Sequence, residues 1–280
     1  MQWDSVQTLN CGGRLLSLEY PIVMGILNVT PDSFFDGSKY RSIDAALRQA
    51  EKMLSEGASI IDVGGMSSRP DAELLDSQSE MERVLPVIEA ISKEFPMAIL
   101  SIDTFRADVA KASFEAGATI INDISGGNLD KNMFPLVAEL GVPYILMHMK
   151  GTPQTMQQNT DYQDVALEIL DFFIQKISQL RALNVKDVVV DVGFGFGKNL
   201  SQNYELLKKI HVFKLLEVPI LAGLSRKSMI CKVLETTSQN ALNGTTALNM
   251  VALQQGAKIL RVHDVLEAMQ TIKLFNQLNL

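Results

Sequence analysis

The stretch PIVMGILNVTPDSFFDGSKY, residues 21–40, begins as an apolar run and breaks at Asn28 into Thr, Pro, Asp, Ser and Gly. The run has the make-up of a buried strand, and its exit delivers Asn28, Asp32 and Asp36. The same layout recurs along the chain. Short apolar, β-branched runs lie at residues 22–27, 59–63, 98–103, 119–124, 142–148, 187–192, 218–223 and 257–262, eight in all. Near-continuous apolar runs of this length are typical of parallel strands covered on both faces.

The segments between the runs have helical periodicity. Ile43, Ala46, Leu47, Ala50 and Leu54 share one face of residues 41–56, and Val84, Leu85, Ile88 and Ile91 share one face of residues 79–95. Four such segments close on glycine, in SEGAS, EAGAT, ELGVP and QQGAK, which suits the left-handed cap of a helix feeding the next strand. Eight strand-then-helix units predict a single α/β domain over residues 1–280, a (β/α)8 TIM barrel from residue 21. An open doubly wound sheet is the alternative. Residues 1–20 carry TLNCGGRLLSL. That segment has the pattern of a β-hairpin turning at Gly12 and Gly13, placed across the end opposite the strand exits.

Composition narrows the function. Lys plus Arg number 25 and Asp plus Glu 32, for a net charge of -7, a poor match to nucleic-acid binding. No apolar run approaches the roughly 18 residues needed to span a membrane. The amino terminus has no basic segment followed by an apolar one, so no signal peptide is read there. Two cysteines, Cys11 and Cys231, point to reduced thiols and a cytoplasmic protein.

The strand exits are polar throughout. Asn28, Asp62, Asp103, Asn122, Asp123, His148, Asp191, Arg261 and His263 all stand at or just past the end of a run, and GLSRKS follows the seventh. A period of two places Arg261 and His263 on the same side of the last strand. In a closed barrel these ends meet at one mouth. Carboxylates just past buried strands need donors, and a flat heterocycle with adjacent N–H groups supplies them to Asp103, Asn122 and Asp191. Arg69, Lys227, Arg261 and His263 form a cationic set suited to an anion, most simply a phosphate. Asn28 offers a neutral oxygen to a Mg2+ that keeps its waters and rides on phosphate oxygens. His148, inside LMHM, is read as a core histidine. GFGFGKN, residues 193–199, looks like a nucleotide loop but lacks the Gly at 192 and the Ser or Thr at 199 that a phosphate loop needs.

Taken together, MGILNVTPDSFFDG, IDVGG, SSRP, SIDT, INDISG, LMHMKGTP, GFGFGKN, GLSRKS and RVHDV resemble the dihydropteroate synthases of folate biosynthesis, in order and across residues 21–265. The resemblance implies a transferase that condenses 6-hydroxymethyl-7,8-dihydropterin diphosphate with 4-aminobenzoate, with Mg2+ assisting, along an SN1-like path. It implies that Asp103, Asn122 and Asp191 hold the pterin edge, Lys227 its carbonyl side and Met147 its plane. Asn28 would sit on the metal. Arg261 and His263 would bind diphosphate, with Ser68 and Arg69 nearby. Phe34, Asp36 and Pro70 would join Phe196, Ser225 and Ser228 around aminobenzoate. It also implies a homodimer, small-molecule substrates and sulfonamide sensitivity. Lys227 and Arg261, as mouth residues, are expected to be replaceable without loss of the fold.

The chain departs from the family pattern at Met66, Asp71 and Val192, where Glu, Gly and Pro are usual, and at Ser38. Two alternatives stay open. One is a related pterin-dependent methyltransferase, which shares the Asp and Asn contacts but needs no diphosphate site; the other is a catalytically silent pterin-binding barrel. Asp71 adds a carboxylate where the resemblance puts anionic aminobenzoate. Asp71→Gly is therefore expected to shift the dissociation constants of aminobenzoate and of a sulfonamide mimic, and equal constants in the two proteins would remove the idea.

Overall fold

The computed structural model describes residues 7–29, 39–66, 75–158 and 160–279. A hairpin of β1 (Thr8–Cys11) and β2 (Arg14–Ser17) comes first. Then β3 (Ile22–Asn28), α1 (Lys39–Glu56), β4 (Ile60–Gly64), α2 (Ser77–Glu94), β5 (Leu100–Asp103) and α3 (Ala107–Glu115) alternate. They are followed by β6 (Ile120–Asp123), α4 (Met133–Leu140), β7 (Tyr144–Met147), α5 (Val165–Ala182), β8 (Val188–Asp191) and α6 (Leu200–Lys208). The chain ends with β9 (Ile220–Ala222), α7 (Ser228–Val233), α8 (Leu242–Gln255), β10 (Ile259–Val262) and α9 (Val265–Leu278).

Strands β3 to β10 are parallel and closed into a barrel, because β10 pairs with β3 as well as with β9. Closure eliminates the doubly wound alternative, which leaves two sheet edges. The glycines expected to end helices, Gly57, Gly117, Gly141 and Gly256, all have φ between 63° and 120°, the left-handed region that a side chain resists.

Alternation along each strand sorts the residues. Val23, Leu27, Ile61, Val63, Leu100, Ile102, Ile121, Leu146, Val188, Val190, Leu260 and Val262 face outward and pack with the helices. Met24, Ile60, Ile120, Ile145, Val189, Leu221 and Ile259 face inward and fill the lower barrel. The hairpin stops that end: Leu9, Cys11 and Leu18 belong to the same apolar cluster. Gly12 and Gly13 turn it at φ 62° and 85°. Hydrogen bonds fasten it, from Asn10 N–H to Asp187 Oδ2 at 2.8 Å and from the Arg14 guanidinium to the carbonyls of Pro96 and Ala98.

Leu9 is 2% exposed and rests on this inner layer. Leu9→Ala is expected to cost about 2–4 kcal/mol, read as a lower urea midpoint, without changing any affinity at the far end of the barrel. An unchanged midpoint would detach the hairpin from the core.

Candidate active site

Above the apolar layer the inward positions turn polar. Continuing the period of two from Ile60 gives Asp62; from Ile120, Asn122; from Val189, Asp191; from Ile259, Arg261. Their contacts confirm that they share one interior. Asp62 Oδ2 accepts from Asn122 Nδ2 at 2.9 Å and from Arg261 Nε at 2.6 Å. The same guanidinium donates through Nη2 to Asp103 Oδ2 at 2.6 Å. The forked cation thus joins β10 to β4 and β5 directly, and to β6 through Asp62. Asp62 Oδ1 and Ser101 Oγ are buried here without a partner.

Asp191 forms the second half. Its Oδ1 accepts from Gly193 N–H at 2.8 Å, and Gly223 leaves open the space beside its Oδ2. Lys227 precedes α7, and its Nζ lies 4.3 Å from the centre of the Phe196 ring. Burial pushes the Lys227 ammonium down to about 8, with Asp191 opposing the shift. Burial raises the Asp191 carboxyl, with Lys227 opposing, and lifts Asp103 to about 7 against the pull of Arg261.

The exits of β9 and β10 are tied to one another. Arg226, at a left-handed φ of 57°, donates through Nε and Nη2 to the two oxygens of Asp264 at 3.0 and 2.6 Å. Ser225 Oγ is 3.0 Å from His263 Nδ1 and accepts from the His263 N–H at 3.2 Å. Burial, then the nearby Arg261 and Arg226, depress His263 to about 4. His263 is therefore neutral near pH 7. The sequence places it among the cations by residue type alone, and burial beside Arg261 and Arg226 opposes that charge. An apolar wall completes the mouth: Phe105, Ile124, Met147, Met149, Met156 and Phe196, with Met66 packed against it.

Asp103, Asn122, Asp191, Lys227, Arg261, His263, Ser225, Phe196 and Met147 all sit on this one mouth. Asn28 and Ser228 are exposed at the ends of their elements. Phe34, Asp36, Ser68, Arg69, Pro70 and Asp71 lie outside the described residues. Asp62, one of the polar strand exits to which the resemblance assigns no role, is a central partner of the site, and its parity with Ile60 and Gly64 is the signal that places it. Asp123 has the opposite parity and is structural: Ser125 N–H, Gly127 N–H and the Tyr144 hydroxyl all donate to it. His148 is buried and held neutral, as a core histidine should be. Among the described residues no three acidic, His or Cys side chains form a metal cage.

The sequence pattern described as pterin binding enzyme matches residues 24–263. The dihydropteroate synthase of Escherichia coli K12 is 44% identical over 264 residues, 94% of this chain and 93% of that one. The Xanthomonas albilineans dihydropteroate synthase solved with 4-aminobenzoic acid superposes with a TM-score of 0.92 at 36% identity, covering 98% and 99% of the two chains. The Yersinia pestis dihydropteroate synthase in a sulfonamide drug complex gives 0.91 at 41% identity, covering 98% and 99%.

The site's charge balance is testable without any ligand. Arg261→Ala removes the one cation hydrogen-bonded to Asp62 and Asp103 among the described residues and is expected to cost about 3–5 kcal/mol, more than the strand-end position alone implied. The folded pKa of Asp103 is raised, so its contribution to stability is present at acid pH and is lost as pH rises through about 7. Removing the cation strengthens that trend. The cost should be smaller at about pH 5 than at about pH 8, by urea unfolding at both. A cost independent of pH would contradict the assigned pairing.

Proposed function

The chain belongs to the pterin-binding enzymes and, among them, to the dihydropteroate synthases, transferases that make dihydropteroate; from that premise we propose how its own residues carry the reaction. The carrying observation is the meeting of buried acceptors and a forked cation above an apolar floor. Asp103, Asn122 and Asp191 are placed to accept the N–H groups along one edge of a pterin, Lys227 to donate to its carbonyl, and Met147 to cover its plane. A dihydropterin that satisfies Asp103 releases one arm of Arg261, which then faces the diphosphate. Neutral His263 accepts from the Ser225 hydroxyl on Nδ1 and keeps a donor on Nε2 for the same anion.

The chemistry needs no side-chain nucleophile. The bond from the pterin methylene to the diphosphate oxygen breaks, and its electron pair leaves with diphosphate. The amine lone pair of 4-aminobenzoate closes the C–N bond, and the amine proton passes to solvent or to the leaving group. Donors already aimed at the leaving oxygens act most strongly as the bond breaks. The electron-rich dihydropterin supports positive charge at the methylene, which favours the SN1-like path. Phe196, Ser225 and Ser228 line the side open to aminobenzoate.

A Mg2+ that keeps most of its waters needs few protein oxygens, and the Asn28 side chain at the end of β3 supplies one. Asn28 would hold it, and the ion would neutralise charge on the departing diphosphate. The two free cysteines and the small polar substrates support a cytoplasmic enzyme, and no helix among the described residues is long and apolar enough to cross a membrane. Exposed Leu266, Leu274 and Leu278 of α9, with Val233 and Leu234, support a homodimer, which sedimentation would reveal.

Diphosphate release is the direct test. Release should require the pterin diphosphate, 4-aminobenzoate and Mg2+ together. A pterin-dependent methyltransferase or a silent barrel would give none that depends on aminobenzoate. Asp191→Asn removes a charged acceptor and should lower kcat/KM for the pterin substrate by about 10–100-fold, and retention of full activity would refute its assignment.

A further inference from the structure

Lys198 is 2% exposed, carries a cation into the barrel wall, and takes no part in the reaction as described. It ends GFGFGK, whose glycines 193, 195 and 197 have φ of 68°, 83° and 66°. Repeated left-handed glycines turn successive peptide planes, so carbonyls can converge. Gly193 O and Phe196 O each lie 2.9 Å from Lys198 Nζ, His148 Nδ1 lies at 3.1 Å and His148 O at 3.4 Å. The loop closes around its own ammonium.

Two features of the substrate site hang from this wrapped loop. Gly193 N–H donates to Asp191, and Phe196 carries the ring beneath Lys227. Asn203 holds the loop from behind, accepting from Gly195 N–H and donating to Lys198 O. The seat is tight: a Cβ on Gly193 would fall 2.0 Å from His148 O, and one on Gly197 2.9 Å from Lys150 O.

We propose that Lys198 is a positioning residue, whose ammonium, gripped by the Gly193 and Phe196 carbonyls and by His148, sets Asp191 for the pterin and Phe196 for aminobenzoate. The proposal rests on the site reading given above. Burying an ammonium carries a desolvation cost that an apolar side chain would avoid, and a fixed loop is what the ion provides in return. Burial depresses Lys198 to about 7, with Asp191 pulling it up and Lys227 pushing it down. Burial and Lys198 keep His148 neutral, leaving Nδ1 free to accept.

Lys198→Met keeps the length and removes the ammonium. It should raise the pterin Kd, by calorimetry, and the aminobenzoate KM each roughly tenfold, while kcat falls less than about threefold. In a Phe196→Ala background it should add nothing to the aminobenzoate KM. His148→Phe removes Nδ1 but keeps the ring edge against Phe172, 4.9 Å away, and should raise both constants about threefold. That variant decides the matter if Lys198→Met does not fold. Lower melting temperature with both constants unchanged would make Lys198 merely structural and overturn the proposal. Asp191→Asn and Phe196→Ala separate the two failures. If they move the constants and the Lys198 and His148 variants do not, positioning alone fails; if they move nothing, the site assignment falls and takes the proposal with it.

Discussion

The fork of Arg261 between Asp62 and Asp103 is what lets a polar layer stand inside a barrel. The interior of such a barrel is ordinarily filled by branched apolar side chains in layers, and here only the lower layer is. One step higher the chain places Asp62, Asn122, Asp191 and Arg261, with Asp103 above. Each uncompensated carboxylate at that depth would cost several kcal/mol. A planar guanidinium serves two carboxylates in fixed directions, which the single ammonium of a lysine does not. By joining β10 to β4 and β5, and through Asp62 to β6, it also fixes four strand exits relative to one another.

Satisfaction of hydrogen bonds separates carboxylates that build the fold from those that await a ligand. Asp123, facing the helices, receives three donors, from Ser125, Gly127 and Tyr144. Asp62, facing the axis, has one oxygen shared between Asn122 and Arg261 and the other unpartnered. Burial raises both Asp103 and Asp191 despite cations beside them. Such groups are poised for a molecule that brings its own N–H donors, and the apolar layer beneath, closed by the hairpin, carries stability independently of them.

Most of this architecture was legible in the sequence because it depends on periodicity. The apolar runs, the four capping glycines and the shared parity of Arg261 and His263 are local features, and local features survive in a one-dimensional reading. Parity places Asp62 with Asn122, although residue type alone does not separate a site carboxylate from a supporting one. The charge of His263 was not legible. It is set by burial and by Arg261 and Arg226, and Arg226 is 37 positions away in the chain yet adjacent in space. Phe34, Asp36, Ser68, Arg69 and Pro70 lie outside the described residues, so their expected place around aminobenzoate rests on the resemblance alone.

The glycine loop shows how one composition serves opposite electrostatics. A phosphate loop aims N–H groups at an anion. In GFGFGK three of those groups are engaged within the protein: Gly193 N–H on Asp191, Gly195 N–H on Asn203 and Phe196 N–H on Gly193 O. Two of its carbonyls surround an internal cation instead. The loop thus wraps a cation, although its sequence resembles a phosphate loop. On the proposed reading, recognition of an anion at this mouth falls to side chains, above all Arg261, which Asp62 and Asp103 engage. That reading couples pterin and diphosphate recognition through a single guanidinium, because whatever takes Asp103 would free the arm that meets the leaving group.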